Sequence, residues 1–203
     1  MPDVNAISNR KTKTRVQILQ AALTCFADKG YHQTAMDDIV TASGLSKGAL
    51  YWHFKSKQEL FIALLEWFFT EFGEEVSHAW HDTMTAAEKL EVITEVSLAS
   101  SEQFIPFIKV FLDFYAQTSD NEKVMQLFEG TLRGYWQQIE QIIAEGIAAG
   151  DFRPVDASQL ALGFFGMLDS LFLYKTMLGD EVDMHAAART ALEVMLAGLQ
   201  CRE

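Results

Sequence analysis

The 203 residues contain three prolines and two cysteines, so the residue types that most often interrupt or staple a small fold are nearly absent. Cys25 and Cys201 stand at opposite ends, which argues against a disulfide framework; two reduced thiols in a cytoplasmic protein are expected. No alternation of apolar and polar residues asks for a strand. No apolar run with a cleavage site follows the basic residues near the N-terminus, so no secretory signal is expected. The most apolar stretch, Leu160 to Leu178, is broken by Asp169 and Lys175 and reads as a buried helix, with no membrane partner. Catalytic signatures are missing too: there is no glycine-rich phosphate loop, no nucleophile elbow and no Cys-x-x-Cys. His78 and His81 stand three apart, but structural metal sites need three or four convergent ligands. The expectation is therefore no catalytic residue, no metal and no cofactor. Positive charge is also in deficit, with 16 Lys+Arg against 28 Asp+Glu and a formal net charge of −12. Taken as an average, that opposes a partner as negative as nucleic acid.

The average conceals an asymmetry. Residues 1–60 hold eight Lys/Arg against five Asp/Glu, whereas residues 61–203 hold eight against 23. A small basic head is joined to a large acidic body. With 49% hydrophobic and 22% charged residues, the chain has a globular balance and is long enough for one large domain or two smaller ones.

Recurrent i, i+3, i+4 apolar spacing makes the chain all-α. A first helix is expected from about Thr12 to Lys29, with Val16, Leu19, Leu23 and Phe26 on one face and Gly30 as its stop. The basic residues Arg10, Lys11, Lys13 and Arg15 surround its start, and residues 1–11 read either as a solvated tail or as a flexible arm on DNA. Thr34-Ala35-Met36-Asp37 reads as a capping box opening a short helix to Ser43. Gly44-Leu45-Ser46 is then a turn, with Gly44 permitting positive φ and Ser46 capping the next helix, Lys47 to Phe54. Ser56-Lys57-Gln58-Glu59 is a second capping box, opening a long fourth helix that ends near Trp80. Five further helices follow, at about 85–101, 104–118, 121–149, 156–178 and 182–199. Pro106 either opens or kinks its helix.

Two short helices joined by a tight glycine-containing turn form a helix-turn-helix, which delivers its second helix into a DNA major groove. With Leu50 and Phe54 turned inward, the opposite face presents Lys47, Gly48, Tyr51 and Trp52. Lys47 is suited to guanine O6/N7 or a phosphate, and Ala49 to a thymine methyl. Tyr51, His53 and Lys57 are placed to bond phosphates and fix register. Gly48 costs a helix about 1 kcal/mol relative to alanine, and its compensation would be close approach of backbone to DNA. Other readings stand beside these: Tyr51 and Trp52 as packing aromatics, and Lys57 as a surface charge of the fourth helix.

These motifs, Thr34 to Val40, Gly44 to Phe54 and Ser56 to Leu60, together with Phe26, Lys29, Gly30 and Tyr31, resemble the DNA-binding domain of the tetracycline-repressor (TetR) family. The resemblance covers residues 12–60. It implies a homodimeric, all-helical regulator of about nine helices, in which residues 12–58 bind double-stranded DNA and residues 59–203 bind a small effector and dimerise. By matching position it makes Thr34, Lys47, Gly48, Ala49, Tyr51, Trp52, His53 and Lys57 DNA contacts, with Ser46 included at the helix start. Trp52 departs from the smaller tyrosine or histidine frequent there. A repressor released from a near-palindromic operator by an apolar or cationic effector is the function implied. An activator of the same family, or a helical-bundle enzyme or metal protein, is the alternative.

Nineteen of the 24 aromatic residues lie beyond residue 60. An aromatic stripe at helical spacing is either core or the wall of an apolar cavity. The resemblance favours a cavity, for which Phe68, Phe72, Phe107, Phe111, Phe114, Tyr115, Trp136 and Phe165 are the candidates. Gly163, Gly166 and Ser170, and then Ala187, Ala191, Val194 and Gly198, form two stripes that permit close helix approach and an isologous four-helix dimer interface. Asp169, within that apolar helix, is either a paired or rim carboxylate or a contact for a cationic effector.

Overall fold

The structure is a computed structural model and describes residues 4–118 and 121–200, with the side chains of 4–11, 123, 127 and 131 left aside. Among the described residues nine α-helices follow one another: α1 Val4–Lys29, α2 Met36–Ser43, α3 Lys47–His53, α4 Lys57–Ala79, α5 Ala86–Ala99, α6 Ser101–Thr118, α7 Glu122–Ala149, α8 Ala157–Leu178 and α9 Met184–Leu199. Among the described residues the extended contact is a single bridge between Phe152 and Gln200. Helix α1 starts eight residues earlier than the periodicity suggests, because neither proline nor glycine intervenes between Val4 and Lys29. Gly30, Gly44, Gly150 and Gly179 have positive φ and end α1, α2, α7 and α8. Pro106 lies inside α6 and does not open it. The helix begins at Ser101, where the Ser100 carbonyl already accepts from the Gln103 and Phe104 amides.

Two compact units emerge, one from the described residues up to 71 together with 109–118, the other from 72–108 with 121–200. The expected boundary after residue 58 is displaced, and the reason lies in α4. Its Phe61 joins Phe26, Tyr31 and Phe114 in a cluster of rings, with Phe61 stacked on Phe114 at 3.7 Å and Tyr31 edge-on to Phe114 at 4.7 Å. Helices α4 and α6 each supply residues to both units.

The second unit packs α5, α7, α8 and α9 around Leu90, Ile143, Phe164, Phe172, Ala188 and Leu192. Its helix starts follow the expected chemistry. The Thr85 hydroxyl accepts from the Glu88 amide while the Glu88 carboxylate accepts from the Thr85 amide at 2.7 Å, and Asn121, Asp156 and Asp183 cap α7, α8 and α9. Gly146 is fixed by packing: a Cβ there would lie 2.6 Å from the Phe152 ring and 2.7 Å from the Ala86 methyl.

Helix α8 departs from expectation. It is buried along one face only. Phe164, Leu168 and Phe172 face inward, whereas Leu162, Tyr174, Met177 and Leu178 are exposed. Gly146→Ala is expected to destabilise the chain by about 1–3 kcal/mol through overpacking. Urea unfolding should show this as a lower midpoint at unchanged slope.

Candidate nucleic-acid interface

The turn between α1 and α2 is organised by Lys57, at the first position of α4. Its ammonium donates to the carbonyls of Tyr31 (2.7 Å), His32 (3.0 Å) and Thr34 (2.9 Å) and sits 4.5 Å over the Tyr31 ring. An ammonium has three donors, and all three are used inside the fold. Burial accordingly lowers the Lys57 pKa below its ordinary value. This corrects the phosphate role expected for Lys57: it holds the turn in place. On the other side, the Tyr31 amide donates to Asp113 of α6. The Asp113 carboxylate also stands 3.2 Å from where a Gly30 Cβ would be, so Gly30 is required by both space and positive φ.

Thr34 is likewise internal, at 1% exposure. Its hydroxyl donates back to the Gly30 and Cys25 carbonyls, 2.8 and 3.0 Å away, and satisfies the end of α1. The side chain is therefore withdrawn from the DNA contact implied by resemblance. It also leaves Ala35 as the N-cap of α2, with Asp38 in place of Asp37 accepting from the Ala35 amide at 2.8 Å. The Lys29 ammonium, and then that amide, hold the Asp38 carboxyl below the ordinary carboxylate range. A group depressed in this way contributes stability fully above its unfolded pKa, and the contribution is lost as pH falls through the folded value.

Asp37 is thereby free to reach α3, where it pairs with Lys47 at 2.8 Å. An exposed pair of this kind adds little, so the ammonium can exchange to another anion. Helix α3 is set by Ser46, whose hydroxyl accepts from the Ala49 amide at 3.2 Å. Gln17 of α1 donates to the Ser43 carbonyl at 2.7 Å and ties down the preceding turn. Leu50 and Phe54 are buried, as the pattern requires, with the Arg15 guanidinium 5.6 Å over the Phe54 ring. Outward lie Ser46, Lys47 and Gly48, with Trp52 at 59% exposure, while Ala49, Tyr51 and His53 are half-buried. Trp52 meets the His53 ring edge-on at 4.6 Å. A Cβ on Gly48 would meet nothing closer than the Ser46 hydroxyl at 3.9 Å, so no internal packing requires glycine there. Lys55, which sequence reasoning missed, flanks the same surface and donates to the Tyr51 carbonyl at 2.6 Å. Its signal was its place directly after the α3 C-cap.

The eight cavity candidates are divided between the two units. Phe68, Phe111, Phe114 and Tyr115 belong to the first unit; Phe72, Phe107, Trp136 and Phe165 belong to the second. Phe114 is fully buried in the ring cluster described above, and Tyr115 is 47% exposed. In the second unit Phe72 packs edge-on to Phe104 at 5.2 Å, and the Trp136 indole donates to the Ser158 carbonyl at 2.9 Å. The Trp80 indole nitrogen, unflagged by the sequence reading, is buried there and has no acceptor among the described residues. Gly163, Gly166, Val194 and Gly198 are exposed and Ser170, Ala187 and Ala191 half-buried; a Cβ at any of the three glycines would meet open space. Asp169 makes no pair among the described residues. It keeps an exposed edge, yet crowding by protein atoms pushes its carboxyl up to about 6.

A helix-turn-helix that turns a cation, a bare glycine backbone and an indole outward, carried on an all-helical chain, defines a DNA-binding regulator. Comparison with known proteins agrees. Residues 18–64 match the bacterial regulatory proteins of the tetR family, and residues 86–200 match the C-terminal part of BetI-type transcriptional repressors. The chain belongs to the TetR family and is a transcriptional regulator, not an enzyme. It is 25% identical over 193 residues to the fatty acid metabolism regulator protein of Bacillus subtilis, covering 94% of this chain and 97% of that one. It is 32% identical over 149 residues to the transcriptional repressor KstR2 of Mycolicibacterium smegmatis, covering 69% and 68%. Its fold matches that of a transcriptional regulator from Saccharomonospora viridis in complex with choline, with a TM-score of 0.81 at 22% identity over 94% of this chain and 100% of that one.

Lys57→Met should lower stability by about 1–3 kcal/mol by leaving carbonyls unpaired, read by urea unfolding. Lys47→Ala should leave stability unchanged and reduce the salt slope of DNA affinity by about 1.

Proposed function

We propose that the chain is a homodimeric repressor that acts in the cytoplasm and leaves a near-palindromic operator when a small apolar or cationic effector occupies its second unit. The observation that carries the reading is the α3 surface, where Lys47, Gly48 and Trp52 face solvent while Leu50 and Phe54 anchor the helix. Lys47 and Tyr51 would reach bases or phosphates, Ala49 a thymine methyl, and Gly48 would let the backbone approach. His53 and Lys55 border the same surface. The basic N-terminal residues would add phosphate or minor-groove contacts.

Dimerisation is supported by the outer face of α8 and α9. Leu162, Tyr174, Met177 and Val194, the last at 68% exposure, are large apolar side chains left exposed there, and the open glycines leave room for a facing helix. Two copies would set two recognition helices in successive major grooves. Effector binding is supported by the choline in the structural neighbour, and within this chain by the aromatic second unit and the unsatisfied Trp80 indole. Helix α4 has residues in both units and is the covalent route by which an occupied second unit would alter α3. An effector acts this way only if it binds the two states with different affinity.

A gel shift on the DNA upstream of the chain's own gene tests the assignment. Parent protein should bind with salt-dependent affinity, and Lys47→Ala and Tyr51→Ala should each weaken binding by about 1–3 kcal/mol. Gly48→Ala should fold with equal or greater stability yet lose affinity; binding at parent strength would refute the close approach. Sedimentation at micromolar concentration should give twice the 22.9 kDa chain mass, and Gly166→Trp should return it to one.

A further inference from the structure

An open groove of about 720 Å³ runs between α5 and α9 in the second unit, within the size range of sites for drug-sized molecules. Its apolar floor is made by Phe152 and Leu192, both buried, with Leu196 beside them. The walls are helical and antiparallel: Thr85 and Gln200 line one end, and at the other Arg189 donates to both carboxylate oxygens of Glu95, at 2.9 and 3.0 Å. One turn further along each helix come Glu91 and Glu193. The first turn of the groove thus joins opposite charges across it, and the next sets two carboxylates on facing walls.

Asp151 adds a further negative charge at the rim. Among the described residues none of Glu91, Glu193 and Asp151 has an ion-pair partner, and the only cation lining the groove, Arg189, is already held by Glu95. Facing like charges above an apolar floor are stabilised by a ligand that supplies the missing positive charge and covers the apolar atoms. The face of α9 used here carries Arg189, Glu193, Leu196 and Gln200. It lies half a turn from Ala187, Ala191, Val194 and Gly198, so groove and proposed dimer face are on opposite sides of the helix.

We propose that this groove is a binding site for an organic monocation with an apolar body, on the opposite side of α9 from the proposed dimer surface. The ammonium sits between Glu91 and Glu193 and the apolar body lies on Leu192, Leu196 and Phe152. Anions are rejected by the carboxylates, and neutral analogues leave the like charges unrelieved.

Calorimetric titration of the full chain with benzyltrimethylammonium, and with benzyl alcohol and benzenesulfonate as neutral and anionic counterparts, tests this. Only the cation should bind, more weakly as salt is raised. The Glu91→Gln/Glu193→Gln double variant, altered at two exposed positions, should lose about tenfold or more in affinity while keeping the parent's unfolding temperature and DNA affinity. A photoreactive form of the cation should label peptides 85–95 and 189–200. The proposal is overturned if parent protein binds no cation, if the double variant binds as the parent does, or if the three compounds bind alike. Label confined to peptides outside the groove would also overturn it, as would self-association of the parent that the double variant abolishes, since a second copy would then be the occupant.

Discussion

The anchoring of Tyr31 is the constraint on which the reading surface depends. Its ring is wedged among Phe26, Phe61 and Phe114, its carbonyl receives Lys57, and its amide is taken by Asp113. A single residue in a turn thereby ties α1 to α4 and to the far end of α6. The turn it fixes leads into α2, and the Asp37 that α2 carries meets Lys47 of α3. Polar partners in this knot are satisfied almost completely, which confers one geometry on a short helix that could not be stable alone.

The same arrangement divides labour among residues of similar chemistry. Lys57 and Lys47 are both cations at helix starts, yet one spends every donor inside the fold and the other pairs with an exposed carboxylate it can exchange. Thr34 and Ser46 are both hydroxyl residues before helices. The first closes the end of the helix behind it, and the second caps the helix ahead. Position relative to the turn, more than residue type, decides which groups face outward.

Much of the fold was legible because helices announce their ends. Gly30, Gly44, Gly150 and Gly179 were readable as stops, and each adopts the positive φ that only glycine tolerates readily. The inward Leu50 and Phe54 follow from i, i+4 spacing alone. What escaped the sequence are contacts across long separations. Asp113 meets Tyr31 at 82 residues' distance, and nothing local marks it. Phe114 reads equally as cavity wall or core, and only the stack on Phe61 decides. The cap of α2 moved by one residue because Thr34 had a better use for its hydroxyl, a choice that depends on where α1 ends. Apolar α8 looked like a buried helix because its composition does not tell which of its faces meets the rest of the chain.

The net charge of −12 now resolves into a basic surface around α3 and an acidic body carrying a carboxylate-lined groove. A body of that charge would repel DNA held anywhere but at the head, which would favour one docking orientation. Amide hydrogen exchange of the full chain, with and without its own upstream DNA, tests that account most directly. The account predicts added protection across residues 44–55, with α5, α7 and α9 unchanged. Unaltered exchange in α3 beside protection on the acidic body would contradict it.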